Sequence, residues 1–244
     1  MAEKIAFFNE DARKLSILWP GPITLVMKKR NNIISNKATN SLKTIAIRIP
    51  SGQIAQNILK SFTGYIAAPS ANPSGYISST KFEHVVEHYK DCRDIFIING
   101  TDCVYGIEST IIDVSNNEPT ILRHGFIEQE TIENILGKPI SSISKNIIAP
   151  GMLDKHYSPH SRIRLNANSL EDEEIGIGFD EVLDNFELNL SKSGDLKEAA
   201  ANLYDLLRKA DQLALRSKKT IAVSPIPNKN IGIAINDKLI RAAK

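Results

Sequence analysis

The chain is poor in cysteine, with only Cys92 and Cys103 in 244 residues and no CxxC spacing. Neither a disulfide framework nor a structural zinc site is indicated, and reduced thiols fit best. Aromatic residues make up 6% and the net charge is +2, with Lys28-Lys29-Arg30 and Lys218-Lys219 as the only basic clusters. A nucleic-acid surface needs longer basic stretches and more stacking rings, so direct nucleic-acid binding is expected to be weak or absent. No apolar run is long enough to span a bilayer, and the acidic N-terminus MAEKIAFFNEDARKL does not have the form of a signal peptide. A cytoplasmic protein without membrane contact is expected. There is no GxxxxGK[ST] loop, no GxGxxG turn after a strand and no GxSxG elbow. Any nucleotide is therefore held by another arrangement, and Ser70 is a hydrogen-bonding residue rather than a nucleophile.

What is present is ordinary globular composition, 42% apolar and 24% charged, in a length that suits one large domain or two modest ones. Six β-branched runs read as strands: residues 23–28, 44–49, 64–68, 94–98, 109–114 and 119–123. Between them, SGQIAQNILKSF puts Ile54, Ala55, Ile58 and Leu59 on one helical face. A second helix starts at Thr80, with Thr80 and Glu83 spaced as a capping box. The pattern predicts an α/β fold, a twisted mixed sheet with helices, over residues 1–139. Residues 140–161 are polar, contain proline and read as a linker. Beyond it, RIRLN, EIGIGF, a long amphipathic helix over DLKEAAANLYDLLRKADQLAL, TIAVSP and a closing helix predict a small Rossmann-like α/β domain over 162–244.

Four stretches carry candidate chemistry. AAPSANPSG, residues 67–75, runs from an apolar segment into turn residues; it is either a loop ending a strand or a site where small side chains let a ligand approach the backbone. In TIAIR, strand alternation puts Thr44, Ala46 and Arg48 on one face and Ile45, Ile47 and Ile49 on the other. Thr44 and Arg48 then stand roughly 13 Å apart, and Arg48 is either an anion clamp or an arginine pointing to water. HVVEH, residues 84–88, matches HxxEH, but Phe82, Val85, Val86 and Tyr89 form the expected buried stripe, leaving His84, Glu87 and His88 to solvent. His156 and His160 are separated by Pro159, which makes a shared metal-binding helical face improbable.

The ordered set WPGPITLV (19–26), TIAIRIP (44–50), AAPSANPSG (67–75), GIESTIIDV (106–114), ILRHG (121–125) and APGM…HYSP (149–159) closely resembles the long, two-domain form of threonylcarbamoyl-AMP synthase, in the YrdC-like superfamily. The resemblance covers nearly the whole chain, including IAVSPIPNKNIGIAINDKLIRAA at its end. It implies a nucleotidyltransferase that forms L-threonylcarbamoyladenylate and pyrophosphate from threonine, bicarbonate and ATP. The product would pass to a downstream transferase complex that modifies adenosine 37 of tRNA. By the same resemblance, Thr44, Ser70, Ser78, Arg123 and Tyr157 contact ATP, Arg48, Ala68 and Ser109 hold threonine, and Mg²⁺ accompanies the nucleotide. No residue serves as an enzyme nucleophile or a protein ligand to metal.

The chain also departs from the family pattern. The TETxYGL-like strand and basic K-x-R segment that normally precede WPGP do not occur in residues 1–18. His124 stands where the family usually has proline, and Lys238 where it usually has arginine. On this reading the 244-residue chain alone is expected to be inactive or feeble. An RNA-binding module and a catalytically impaired scaffold are the alternatives.

Overall fold

A computed structural model describes residues 1–30, 33–142, 157–181 and 186–244. Most of the expected linker lies outside these residues, as does His156. The chain divides into two compact units, Met1–Ala68 with Glu108–Met152, and Pro69–Ile107 with Leu153–Lys244. The division falls inside AAPSANPSG, so Ala68 and Ser70 belong to different units.

The first unit is built on a five-stranded sheet of β1 (Ile23–Lys28), β2 (Thr44–Ile47), β3 (Thr110–Asp113), β4 (Thr120–Arg123) and β5 (Ser141–Ser142), in the order β2-β1-β3-β4-β5. β1 pairs antiparallel with β2 and parallel with β3, while β3 pairs antiparallel with β4 and β4 parallel with β5. The alternation in ITLVMK does what period two requires: Ile23, Leu25 and Met27 are fully buried on one face with Ile112 and Ile121. Helices α1 (Ala2–Ile5), α2 (Glu10–Leu15), α3 (Gln53–Ser61) and α5 (Gln129–Leu136) belong to this unit, and Ala12, Leu15, Ile132 and Leu136 complete the core. Asn9 starts α2 by accepting from the Ala12 amide at 2.9 Å, while its own amide donates to Val114 O at 2.8 Å. One side chain thus caps a helix and ties it to the end of β3.

The second unit carries an all-parallel sheet, β6 (Ile163–Arg164), β7 (Glu174–Gly178), β8 (Leu188–Asn189) and β9 (Thr220–Val223), in the order β6-β9-β7-β8. Its helices are α4 (Phe82–Tyr89), α6 (Leu196–Ser217) and α7 (Ile231–Ala242). The parallel strand order with α6 and α7 fits the Rossmann-like fold expected over 162–244, while α4 comes from the Pro69–Ile107 part of the unit; β8 adds a strand too short to show in the hydrophobic pattern. α6 starts on Asp195, whose carboxylate accepts from the Lys197 and Glu198 amides at 2.7 and 3.4 Å. Gly106 has φ +66° and a side chain there would strike the backbone of Ala200 and Ala201, so glycine is what allows the 103–107 segment to lie against α6.

Several expectations are corrected. Residues 64–68 and 94–98 form no strand, and Ile66, Ile98 and Phe96 are 49%, 60% and 94% exposed. A β-branched run becomes a strand only when a neighbouring ladder accepts it, and none among the described residues does. α3 forms where its periodicity places it, yet buries no residue; Ile54 and Ile58 are each 40% exposed. At α4 His84 is buried and His88 half-buried instead of facing solvent, Glu87 is exposed as expected, the stripe Phe82, Val85, Val86 and Tyr89 is only half-buried, and the pair Thr80/Glu83 does not cap the helix. His84 Nδ1 accepts instead from the Thr80 and Lys81 amides at 3.2 and 3.3 Å. An imidazole reaches both orphan amides, while the buried Thr80 hydroxyl has no hydrogen-bond partner among the described residues.

Candidate functional site

The residues singled out by sequence fall into two sets. Thr44, Arg48, Ala68, Ser109 and Arg123 lie in the first unit; Ser70, Ser78 and Tyr157 lie in the second.

In the first unit Ser109 is the centre of a small polar knot. It is 3% exposed, immediately before β3, where the parallel pairing with β1 brings Ile23 opposite Thr110. The Thr24 hydroxyl lies 2.8 Å from the Ser109 hydroxyl. Arg123, the last residue of β4, sends Nε and Nη2 to Ser109 O at 3.2 and 2.9 Å, and Nη2 also reaches Ser109 Oγ at 3.1 Å. Arg123 donates to Ser109 O from two nitrogens, a use of the planar guanidinium that lysine cannot reproduce. Gly125 is required just beyond, because a side chain there would strike Thr110 N and Glu108 O.

The WPGP segment links this knot to Arg48. Pro22 O accepts from Thr110 N at 3.0 Å, Gly21 N donates to Ile49 O at 2.9 Å, and Gly21 O accepts from Arg48 Nε at 3.1 Å. β2 ends at Ile47, so Arg48 sits one residue past the ladder, exposed, with its guanidinium anchored by that carbonyl. Ile45 and Ile47 pack on the core as alternation predicts. Thr44 is half-buried opposite Lys28, and Ala68 is exposed outside regular structure. Thr24 and Gly21 are the residues that sequence reasoning passed over. Thr24 reads as a β-former, and only its neighbour across the parallel ladder shows its hydroxyl to be used.

In the second unit Ser70 is exposed at the start of an ordered turn. Asn72, buried, donates from its side-chain amide to Pro73 O at 2.9 Å and Tyr76 O at 3.1 Å, and Ser79 Oγ donates to Ala71 O at 2.7 Å. Ser78, half-buried, follows on the same loop. Tyr157 is 1% exposed with φ +63°, and the next residue returns to the loop through Ser158 N to Gly75 O at 2.9 Å. Ser78 and Tyr157 are therefore held by one loop system.

Behind that loop lies a charged face of α6. His84 Nε2 meets Asp205 Oδ1 at 3.2 Å, and because Nδ1 already accepts amide protons, Nε2 carries the ring proton. Burial and then Arg208 hold His84 below its ordinary pKa, and the same two causes lower His88. Burial alone would raise Asp205, but Lys209 and Lys81 outweigh it and leave that carboxylate below its usual range. Tyr76 is pushed up to about 12 by burial and by Asp211, so it remains a neutral hydrogen-bond donor.

In the basic cluster 28–30, Lys28 is exposed, Lys29 binds Asn36 and Thr39, and Arg30 lies over the Phe7 ring and donates to Ala6 O. Cys92 and Cys103 are both exposed, and neither is part of a disulfide among the described residues. Among the described residues no three His, Cys, Asp or Glu side chains converge as a metal site, and no helix is long and apolar enough to cross a membrane.

Comparison with known proteins agrees with this architecture. Residues 1–125 match the Sua5–YciO–YrdC family, described as "Telomere recombination", and residues 127–244 match "Threonylcarbamoyl-AMP synthase, C-terminal domain". The threonylcarbamoyl-AMP synthase of Bacillus subtilis is 32% identical over 251 residues, covering 92% of this chain and 70% of that protein. That of Pyrococcus abyssi is 29% identical over 248 residues, covering 92% and 71%. A crystal structure of P. abyssi Sua5 complexed with L-threonine is 28% identical, with a TM-score of 0.86 over 99% of this chain and 76% of that one. The chain therefore belongs to the Sua5–YciO–YrdC family, in the two-domain form that carries the C-terminal domain of the threonylcarbamoyl-AMP synthases.

Proposed function

We propose that this chain joins L-threonine, bicarbonate and ATP into L-threonylcarbamoyladenylate, releasing pyrophosphate and water. The observation that carries the reading is the direct bond between Arg123 and Ser109. Ser109 is assigned to threonine and Arg123 to the nucleotide, and the product is a mixed anhydride in which a threonine carbamate is bonded to the α-phosphate. A side chain shared by both subsites belongs at that new bond. Relatives named for this activity, and one complexed with L-threonine, support the same substrates.

The chemistry needs no enzyme nucleophile. The threonine amine bonds to the carbon of bicarbonate and gives up a proton as the carbon–hydroxyl bond breaks and water leaves, giving a carbamate; with carbon dioxide only the proton is lost. A carbamate oxygen then attacks the α-phosphorus, the bond to the pyrophosphate oxygen breaks, and pyrophosphate leaves. Catalysis consists of positioning and charge stabilisation. Arg48, whose Nε donates to Gly21 O, would bind the threonine carboxylate, while Ser109 and Thr24, whose hydroxyls meet at 2.8 Å, would offer them to the amino acid. Arg123 neutralises phosphate charge, and Thr44, Ser70, Ser78 and Tyr157 complete the nucleotide contacts. Mg²⁺ would shield the triphosphate. A cytoplasmic location and delivery of the adenylate to a transferase complex acting on tRNA complete the proposal.

Pyrophosphate release by the purified protein tests it. Release should require threonine and bicarbonate together, and Arg123→Met should abolish it; release that persists without threonine would count against the reading.

A further inference from the structure

One face of α6 carries three charged residues at a spacing of three, Asp205, Arg208 and Asp211, and all are buried, with relative exposures of 9%, 2% and 0%. Burying charge is costly unless each group is paired, so such a stripe needs partners of matching geometry. Arg208 finds them on the loop that bears Ser78. Nη2 donates to Ile77 O and to Ser79 Oγ, the latter at 3.3 Å, and Nε donates to Ser78 O at 3.3 Å. Nη1 lies 2.9 Å from His88 Nε2, and the guanidinium stands 4.9 Å from the centre of the Tyr76 ring.

Asp211, one turn further on, grips the segment that follows Tyr157. Its Oδ1 accepts from Ser161 N at 2.9 Å, and its Oδ2 from His160 N at 3.1 Å. Oδ2 also accepts from the Tyr76 hydroxyl at 3.1 Å. Tyr76 thus joins the two grips, with its ring beneath Arg208 and its hydroxyl on Asp211. Two chain segments some eighty residues apart in sequence, 76–79 and 157–161, are fastened to adjacent turns of one helix.

We infer that Arg208, Asp211 and Tyr76 are positioning residues for the nucleotide: they touch no substrate but fix Ser78 and Tyr157 from behind, so α6 sets the affinity for ATP. The inference rests on the function proposed above, since it takes Ser78 and Tyr157 as nucleotide contacts. It also separates the substrates, because Arg48, Ser109 and Thr24, on the threonine side, belong to the first unit and α6 to the second.

The test is calorimetric titration of the whole protein with α,β-methylene-ATP and, separately, with L-threonine. Tyr76→Phe keeps the ring under Arg208 and deletes one hydrogen bond, so it should fold and weaken nucleotide binding by about fivefold. Arg208→Lys keeps the charge and loses the fork, and should weaken it by more than about tenfold. Threonine affinity should stay within about twofold in both, which general loosening of the fold would not allow. Unchanged nucleotide affinity in Tyr76→Phe, or equal loss of both ligands, would overturn the inference; if Arg208→Lys does not fold, Tyr76→Phe decides alone. A parent protein that binds no nucleotide would overturn the proposed function together with this inference, an outcome distinct from a parent that binds and variants that bind equally well.

Discussion

Arg123 closes a two-armed grip on Ser109, with Nε and Nη2 on its backbone carbonyl at 3.2 and 2.9 Å and Nη2 on its hydroxyl at 3.1 Å. Arg123 ends β4 and Ser109 immediately precedes β3, and the two meet because β3 and β4 pair antiparallel with Ile111 opposite Arg123. Their coupling should be measurable. In a double-mutant cycle of Arg123→Lys and Ser109→Ala, read by threonine affinity, the interaction energy should exceed about 1 kcal/mol. Additive losses would mean that the grip does not organise the threonine side.

Thr24→Val tests the hidden hydroxyl. The swap keeps the branched shape in β1 and removes the partner 2.8 Å from Ser109 Oγ. Ser109 retains Arg123, so the first unit should lose only about 1 kcal/mol in denaturant unfolding. Threonine affinity should fall by about tenfold, because the Thr24 hydroxyl offered to the amino acid is gone and Ser109 Oγ is held by Arg123 alone. Nucleotide affinity in the same variant is expected to remain at the parent value.

Ser70→Leu addresses the turn. Ser70 is exposed, so a larger side chain costs the fold little, and thermal unfolding should match the parent. Adenylate formation should nevertheless be blocked, since leucine fills the space that a nucleotide needs beside the backbone. Parent-level activity in this variant would make AAPSANPSG a loop and nothing more.

The acid limb of stability belongs to His84 and His88. Both are held below the ordinary value of 6.5 by burial and Arg208, so the unfolded chain takes up these protons at higher pH than the folded one. Stability is therefore complete above about pH 6.5 and falls as pH drops from there towards the folded-state values. Melting temperature recorded from pH 8 to pH 5.5 should be level at first and then decline, and His88→Gln should shrink the decline. A melting temperature that holds level to pH 5.5 would show that the rings protonate without cost.

How much of this could be read from sequence depended on whether the deciding contact was local. Alternation in ITLVMK and TIAIR placed β1 and β2 with their apolar faces, and the period of DLKEAAANLYDLLRKADQLAL placed α6 to within two residues. The runs at 64–68 and 94–98 have strand composition but meet no ladder, and composition carries no information about that. His84 and His88 were assigned to solvent because polar residues on a helix usually face water, whereas here α6 presents Asp205 and Arg208 to receive them. Buried charge pairs of this kind break the hydrophobic pattern on both helices at once, so each hides the other. The same applies to Thr24, whose role depends on Ser109 far along the chain.

The central claim is that threonine, bicarbonate and ATP are condensed on this chain. The most direct measurement supplies the purified protein with threonine, ATP and ¹³C-bicarbonate and follows the adenylate by mass spectrometry. The account predicts threonylcarbamoyl-AMP carrying one labelled carbon, formed at whatever rate only when all three substrates are present. Absence of that species at any protein concentration, or ATP cleaved to AMP without threonine, would contradict it.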